Sequence, residues 1–384
     1  MTAVNVPLKR PMLPRDPHEP GRVATPLELL FDLVFVVAIA SNSAQLHHAI
    51  TEHHASAGIL GYTMTWFAIW WAWVGFTWFA SAYDNDDALY RLLAFVIMTG
   101  SLMLAASVPD LFADGQSLLA VAGYAVMRLG YVALWLRAAA SDPVHRQAAL
   151  RYAVGVTAVQ SLWIARIWAP SSVLIPTFFL LVICELSIPV WAEGRHGTTP
   201  WHRHHIAERF SLMTIIVLGE VFLSSVTAVQ GVDQVGWDVV PLALGGLLLV
   251  FGLWWVYFKR EHHRLTDGGA RTWMFSYGHL VIFASIASLG AGLAAVVDAV
   301  HGEGDGVTAV WVMAIGLSLF GLTLSGMHAV VDGLRGMAPA VFVAVGAVGV
   351  AVATTLGLPL TWAVLGLGLV LTATVTHHVL RSGH

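Results

Sequence analysis

Apolar residues along this chain come in long runs, with the polar residues and prolines gathered between them. Twelve stretches are long enough to cross the hydrocarbon of a bilayer as helices of about 20 residues. They are Leu27–His48, Ser56–Tyr83, Leu89–Phe112, Ser117–Ala139, Gln147–Trp168, Ser171–Ala192, Ile206–Val229, Trp237–Phe258, Thr272–Asp298, Thr308–Val330, Met337–Gly357 and Leu358–Leu380. The other structure that can span a bilayer is a closed barrel, whose strands alternate in polarity over about 10 residues. That alternation is absent. The pattern predicts an all-α polytopic bundle of about twelve spans.

Composition agrees. Of 384 residues 57% are hydrophobic and 11% charged, with a mean hydropathy of +0.73. A soluble domain carries about 25% charged residues. This excludes a soluble globular protein and a disordered one. Net charge is −4, so no basic excess is available to neutralise phosphates, and a nucleic-acid partner is not expected. The single cysteine, Cys184, sits in an apolar run and cannot form an internal disulfide.

The basic residues add orientation. Lys9, Arg10, Arg15 and Arg22 precede the first run; Arg137, Arg146, Arg151, Arg195, Arg203, Lys259, Arg260, Arg264 and Arg271 lie in connections on the same side, with Arg91, Arg335 and Arg381. The opposite connections hold no Lys or Arg. By the bias of basic residues toward the cytoplasm, both termini are expected there, with the protein in the cell membrane and the bilayer as its partner. The first 26 residues carry six prolines and read as an extended or disordered tail with no cleavable signal. Thr25, Pro26 and Glu28 then form a helix start, with Thr25 as cap, Pro26 at the first position and Glu28 closing a capping box.

The chain reads as duplicated. Glu28, Phe31, Asp32, Phe35 and Ile39 open the first run; Glu208, Phe210, Ile215 and Glu220 lie along the seventh. Trp70, Trp71 and Trp73 in the second run match Trp254, Trp255 and Tyr257 in the eighth. The expected layout is a tail 1–26, a six-span repeat 27–192, a linker 193–205, a second repeat 206–380 and a short tail 381–384. Six spans per repeat keep both halves in one orientation.

Residues 28–39, ELLFDLVFVVAI, resemble the signature of the bacterial low-temperature-requirement A family. Residues 207–220, AERFSLMTIIVLGE, look like its second signature, and Tyr277, Gly278, His279 and Leu280 followed by Gly290 look like its third. The sequence departs at Leu30, where the family often has an aromatic residue. The resemblance runs from about Arg22 to the last span. It implies a multi-spanning membrane protein and brings no settled substrate or reaction.

Ionisable residues inside a membrane are costly, and are functional candidates by default. Asp32 lies about 7–8 Å into its helix and shares a face with Glu28, Val36, Ile39 and Ser43. It reads either as an ion- or proton-binding carboxylate or as half of a buried pair with an arginine. Glu220 lies mid-span, on a face with Arg209, Ser224 and Thr227, and Gly219 beside it would admit a close backbone. Glu28 and Glu208 read as helix caps at the water boundary. Glu185 precedes Pro189 by four residues, so its carbonyl lacks a helical donor. Arg128 needs an acid, with Glu185 and Asp32 at similar depth; Arg166 can snorkel. His279 reads as a proton relay or as a neutral histidine bonded across helices.

These five, Asp32, Glu220, Glu185, His279 and Arg128, are the ion- or substrate-binding candidates. The tryptophan stripe Trp66, Trp70, Trp73 reads as packing rather than a cation site, and Asp87 with Arg91 as a helical pair. Gly346 and Gly349 suggest close packing. His47, His48, His53 and His54 fall on one side and His202, His204, His205, His262 and His263 on the other, without the spacing of membrane di-iron enzymes. No phosphate loop, nucleophile elbow or triad is present, so no cofactor, metal or enzymatic activity is expected. The expected function is transport or channel-like passage of an ion or small solute through intramembrane carboxylates. Phe31 and Asp32 bear a faint likeness to the Phe-Ser-Asp motif of some potassium channels, lacking the serine. A sensor or assembly partner without transport is the alternative, and a membrane enzyme the third.

Overall fold

The structure is a computed structural model that describes residues 6–194, 197–230, 239–259, 266, 269–333 and 337–382. Arg195, Trp237, Arg260, His262, His263, Arg264 and Arg335, and the side chains of Ser224, Thr227, Asp332 and Arg381, lie outside the described residues. Among the described residues there are twelve α-helices and no strand: α1 Pro26–Thr51, α2 Ala55–Tyr83, α3 Ala88–Asp114, α4 Leu118–Ser141, α5 Arg146–Ala165, α6 Leu174–Glu193, α7 Arg203–Gln230, α8 Val239–Phe258, α9 Ala270–Val300, α10 Gly306–Asp332, α11 Ala338–Thr355 and α12 Leu360–Ser382. Short 3₁₀ turns at Arg166–Trp168 and Ser171–Val173 join α5 to α6.

Ten of these helices are long and apolar enough to cross a membrane. The remaining two are α2, whose tryptophans and tyrosines lower its mean hydropathy, and α7, which carries Glu208, Arg209 and Glu220. Each helix matches one apolar run within a few residues, because a spanning helix satisfies its backbone internally and its length is set by the run itself. The ends have local causes. The Asp87 side chain caps α3 by accepting from the Tyr90 amide, and Gly115 ends it in the left-handed conformation (φ 68°). Ser117 and Asp305 cap α4 and α10 in the same way.

The chain forms two compact units. One comprises 1–41 and 67–209, the other 42–66 and 210–384. In the first, α3 packs on α4, α4 on α5 and α5 on α6. Gly100 and Gly123 let the α3 and α4 backbones meet: a Cβ on either glycine would run into the other's carbonyl oxygen. In the second unit α9 packs on α10, α10 on α11, α11 on α12, and α8 on α12. There Gly245 faces the backbone of Val364 and Leu365.

The N-terminal segment is extended and held in place. The Arg15 amide donates to the Ala82 carbonyl, and Ala88 and Leu89 donate to the carbonyls of Pro7 and Leu8. Arg22 donates to the carbonyls of Ser81 and Ala80, and Met12 is fully buried. Proline-rich sequence leaves backbone groups unpaired locally, so they find partners on the ends of α2 and α3.

Three expectations about packing are corrected. Arg91 pairs with Asp86 at 2.7 and 2.8 Å, not with Asp87, because Asp87 is fully buried capping α3 and accepting from Arg137. A Cβ on Gly219 or on Gly349 would meet nothing within 4 Å, so neither admits a close backbone among the described residues; Gly346 does pack tightly, against Val370.

Candidate functional site

The site is built on the start of α1. The Thr25 hydroxyl accepts from the Glu28 amide at 3.3 Å, and Glu28 Oε2 accepts from the Thr25 amide at 2.8 Å and its hydroxyl at 3.0 Å. This is the expected capping box. The same carboxylate is fully buried rather than at a water boundary, and does more. Its Oε1 accepts from Arg209 Nη1 at 2.7 Å, and His205 Nε2 lies 3.2 Å from it.

One turn further, Asp32 lies on the same helix face, since residues four apart are neighbours on a helix. Asp32 Oδ1 accepts from Arg209 Nη2 at 2.5 Å and Oδ2 from Arg209 Nε at 3.2 Å. Trp73 Nε1, from α2, donates to Oδ1 at 2.7 Å. Glu28, Asp32, His205 and Arg209 are all fully excluded from solvent. Two carboxylates against one guanidinium leave a formal charge of −1 while His205 is neutral. Two buried polar atoms in this neighbourhood, His205 Nδ1 and the Tyr90 hydroxyl, make no hydrogen bond among the described residues.

Arg128 meets Glu185, one of the two acids expected for it; the other, Asp32, is taken by Arg209. Arg128 Nη2 lies 3.2 Å from Glu185 Oε1 and 2.7 Å from the Tyr124 hydroxyl. Trp71 Nε1 donates to Glu185 Oε2 at 2.7 Å. This cluster is charge-balanced. Pro189 lies inside α6, so the Glu185 carbonyl has no helical donor four residues on. Arg166, half-buried, donates to the Leu174 carbonyl at 2.8 Å.

His279, in the second unit, is fully buried. Its Nδ1 lies 2.7 Å from the Phe275 carbonyl and its Nε2 2.9 Å from the Tyr257 hydroxyl. A carbonyl can only accept, so Nδ1 donates, while Nε2 pairs with the tyrosine hydroxyl: a histidine bonded across α8 and α9. Glu220 is half-buried and belongs to the second unit. The structure therefore gathers Asp32 with Glu28, and Arg128 with Glu185, and places Glu220 and His279 elsewhere.

At the helix ends, Asp84 is buried, and burial together with the Glu28 charge pushes its carboxyl up to about 6 against the pull of Arg15 and Arg22. Burial also acts on Asp87, but the Arg137 guanidinium and the Arg10 and Tyr90 amides outweigh it and hold that carboxyl below the ordinary range. His202 Nε2 donates to the Glu19 carbonyl at 3.0 Å while its Nδ1 accepts from the His205 amide. The imidazoles of His202 and His205 thus turn to different side-chain and carbonyl partners, and no group of three or more metal-ligating side chains occurs among the described residues.

Sequence reasoning missed Arg209, His205, Trp73 and Trp71 as members of these clusters. From sequence Arg209 reads only as a polar residue on the face of Glu220, and the tryptophan stripe Trp66, Trp70, Trp73 as packing. They do pack, with Trp66, Trp70 and Trp73 all buried, but two of the α2 tryptophans, Trp71 and Trp73, also supply the donors of two buried acids.

A model of the bacterial low temperature requirement A protein family (LtrA) matches residues 23–376. An uncharacterized protein of Rhizobium meliloti (strain 1021) is 27% identical over 276 residues, covering 67% of this chain and 66% of that protein. The chain thus spans about two thirds of the length of this relative. No solved structure matches. Nearly the whole chain, including both acid-bearing segments around Asp32 and Arg209, falls within the matched range, and the chain belongs to the bacterial low temperature requirement A family.

Proposed function

We propose that this protein moves an ion or small solute across the cell membrane, as a transporter or channel-like protein, and that the buried acids of α1 are its ion-responsive group. The observation that carries this is that two fully buried carboxylates, Glu28 and Asp32, share one guanidinium, Arg209, with His205 beside them. A buried charge is costly unless it is well paired, so two buried carboxylates sharing one guanidinium favour the approach of a further cation. The balanced Arg128–Glu185 pair supplies no such drive and fits a structural role.

In this reading α1 to α12 are twelve spans in two six-span halves, 27–192 and 206–380, with both termini cytoplasmic and no catalysis or cofactor. Glu220 is the corresponding acid of the second half. Purified protein in liposomes, screened with protons, metal cations and small solutes, tests it. Flux is expected in the parent and lost in Asp32→Asn and in Glu220→Gln, with insertion unchanged. Normal flux in both variants overturns the assignment.

A second reading is a non-transporting sensor or assembly partner. It draws on the N-terminal segment, which is seated on α2 and α3 by bonds that a signal could release. Inert liposomes together with a stable co-purifying partner would favour it.

A further inference from the structure

The acid cluster has one place where a proton can be added without breaking a bond. Both oxygens of Glu28 and both of Asp32 already accept from donors: Thr25, His205 and Arg209 on the first, Arg209 and Trp73 on the second. A carboxyl O–H would there point at an N–H. Arg209 remains charged at any pH a protein survives. His205 differs. Its Nε2 faces the Glu28 carboxylate, which can only accept, so Nε2 carries the hydrogen. Its Nδ1 is then a bare lone pair, buried and without a hydrogen-bond partner among the described residues.

We propose that His205 Nδ1 is the site at which the cluster binds a proton, and, resting on the transport reading above, that the proton is the coupling ion. A hydronium gives its proton to the Nδ1 lone pair, one N–H bond forms and water is released. The four groups then sum to zero where they summed to −1. The charged and titratable neighbours are Glu28 and Asp32 from α1, Arg209, His202 and His204 from the α7 end, Tyr90 from α3, Asp84 from the α2–α3 link and Arg22 from the N-terminal segment. Arg22 is occupied by two backbone carbonyls and His202 by a carbonyl and an amide, so neither competes for this lone pair.

The test uses the full chain in lipid nanodiscs with ¹⁵N-labelled imidazoles, the signal of His205 being the one missing in His205→Gln. As the pH is lowered, one His205 nitrogen should pass from the bare to the protonated frequency. In Asp32→Asn the cluster is neutral without the proton, so proton affinity at His205 should fall about tenfold or more. Glu28→Gln should lower it likewise, and serves if Asp32→Asn fails to fold. A His205 that stays neutral throughout, or one that titrates identically in the parent and the variants, overturns the proposal. Proteoliposome flux separates the two claims. Titration of His205 without any flux refutes transport and leaves the proton site standing. Flux indifferent both to a pH gradient and to His205→Gln overturns proton coupling.

Discussion

Removing Arg209 should harm the fold far more than removing either acid it binds. Arg209 is fully buried and makes three charge-assisted bonds, one to Glu28 and two to Asp32. Arg209→Met keeps most of the side-chain volume but leaves two carboxylates facing one another without a cation. Breaking a buried pair by deleting one partner costs about 3–5 kcal/mol, a factor on the order of 10² to 10³ in the folding equilibrium. Asp32→Asn removes one carboxylate and leaves a balanced Glu28–Arg209 pair. Its amide oxygen still accepts from Trp73, so the expected cost is about 1–3 kcal/mol, that of one poorly satisfied polar contact. The two changes should not add. In the double variant Glu28 alone remains, held by Thr25 and His205, and the combined loss should fall short of the sum by about 1 kcal/mol or more. Reversible unfolding in mixed detergent micelles, followed by circular dichroism, measures all four species. An Arg209→Met no worse than Asp32→Asn, or a double variant that loses the full sum, would refute a shared buried pair.

Further expectations concern the helix ends and the α3–α4 contact. Because the Asp84 carboxyl is raised to about 6, the folded chain holds that proton more tightly than the unfolded one. The associated stability is complete below the ordinary carboxylate value and lost as pH rises through about 6, so protease cleavage before Arg22 should quicken over that window, and should lose its pH dependence in Asp84→Asn. Asp87→Ala removes the α3 cap together with a buried acceptor for Arg137 and should lower the thermal midpoint clearly, whereas Asp86→Ala, at the exposed Arg91 pair, should leave it nearly unchanged. Gly100→Val forces a side chain into the Gly123 backbone and should cost about 1–3 kcal/mol in the same micelle unfolding assay; an unchanged midpoint would refute the close approach.

What sequence alone could supply followed from distance along the chain. Helix positions came from runs of apolar residues, which are local, and the Thr25–Glu28 capping box closes over three residues. Arg128 and Glu185 were legible as partners because a fixed charge at mid-span must find an opposite one at similar depth. The Asp32–Arg209 pair was not, since 177 residues separate its members and nothing local to either points to the other. The same is true of Trp73: an indole on an aromatic stripe looks like packing until its N–H direction is known. Asp86 and Asp87 show the finer limit, where helix spacing favoured Arg91 for Asp87 but the cap and Arg137 claimed it first.

The seat of the N-terminal segment also bears on biogenesis. Arg22 closes onto carbonyls 58 and 59 residues downstream, and the Glu19 carbonyl waits for His202, 183 residues later. During synthesis this segment therefore emerges well before anything it can bind, and its last link forms only after α6 is complete. Because Pro7 and Leu8 accept from the start of α3, a label placed between Pro7 and Arg22 is a perturbation of the folded protein and needs its own control.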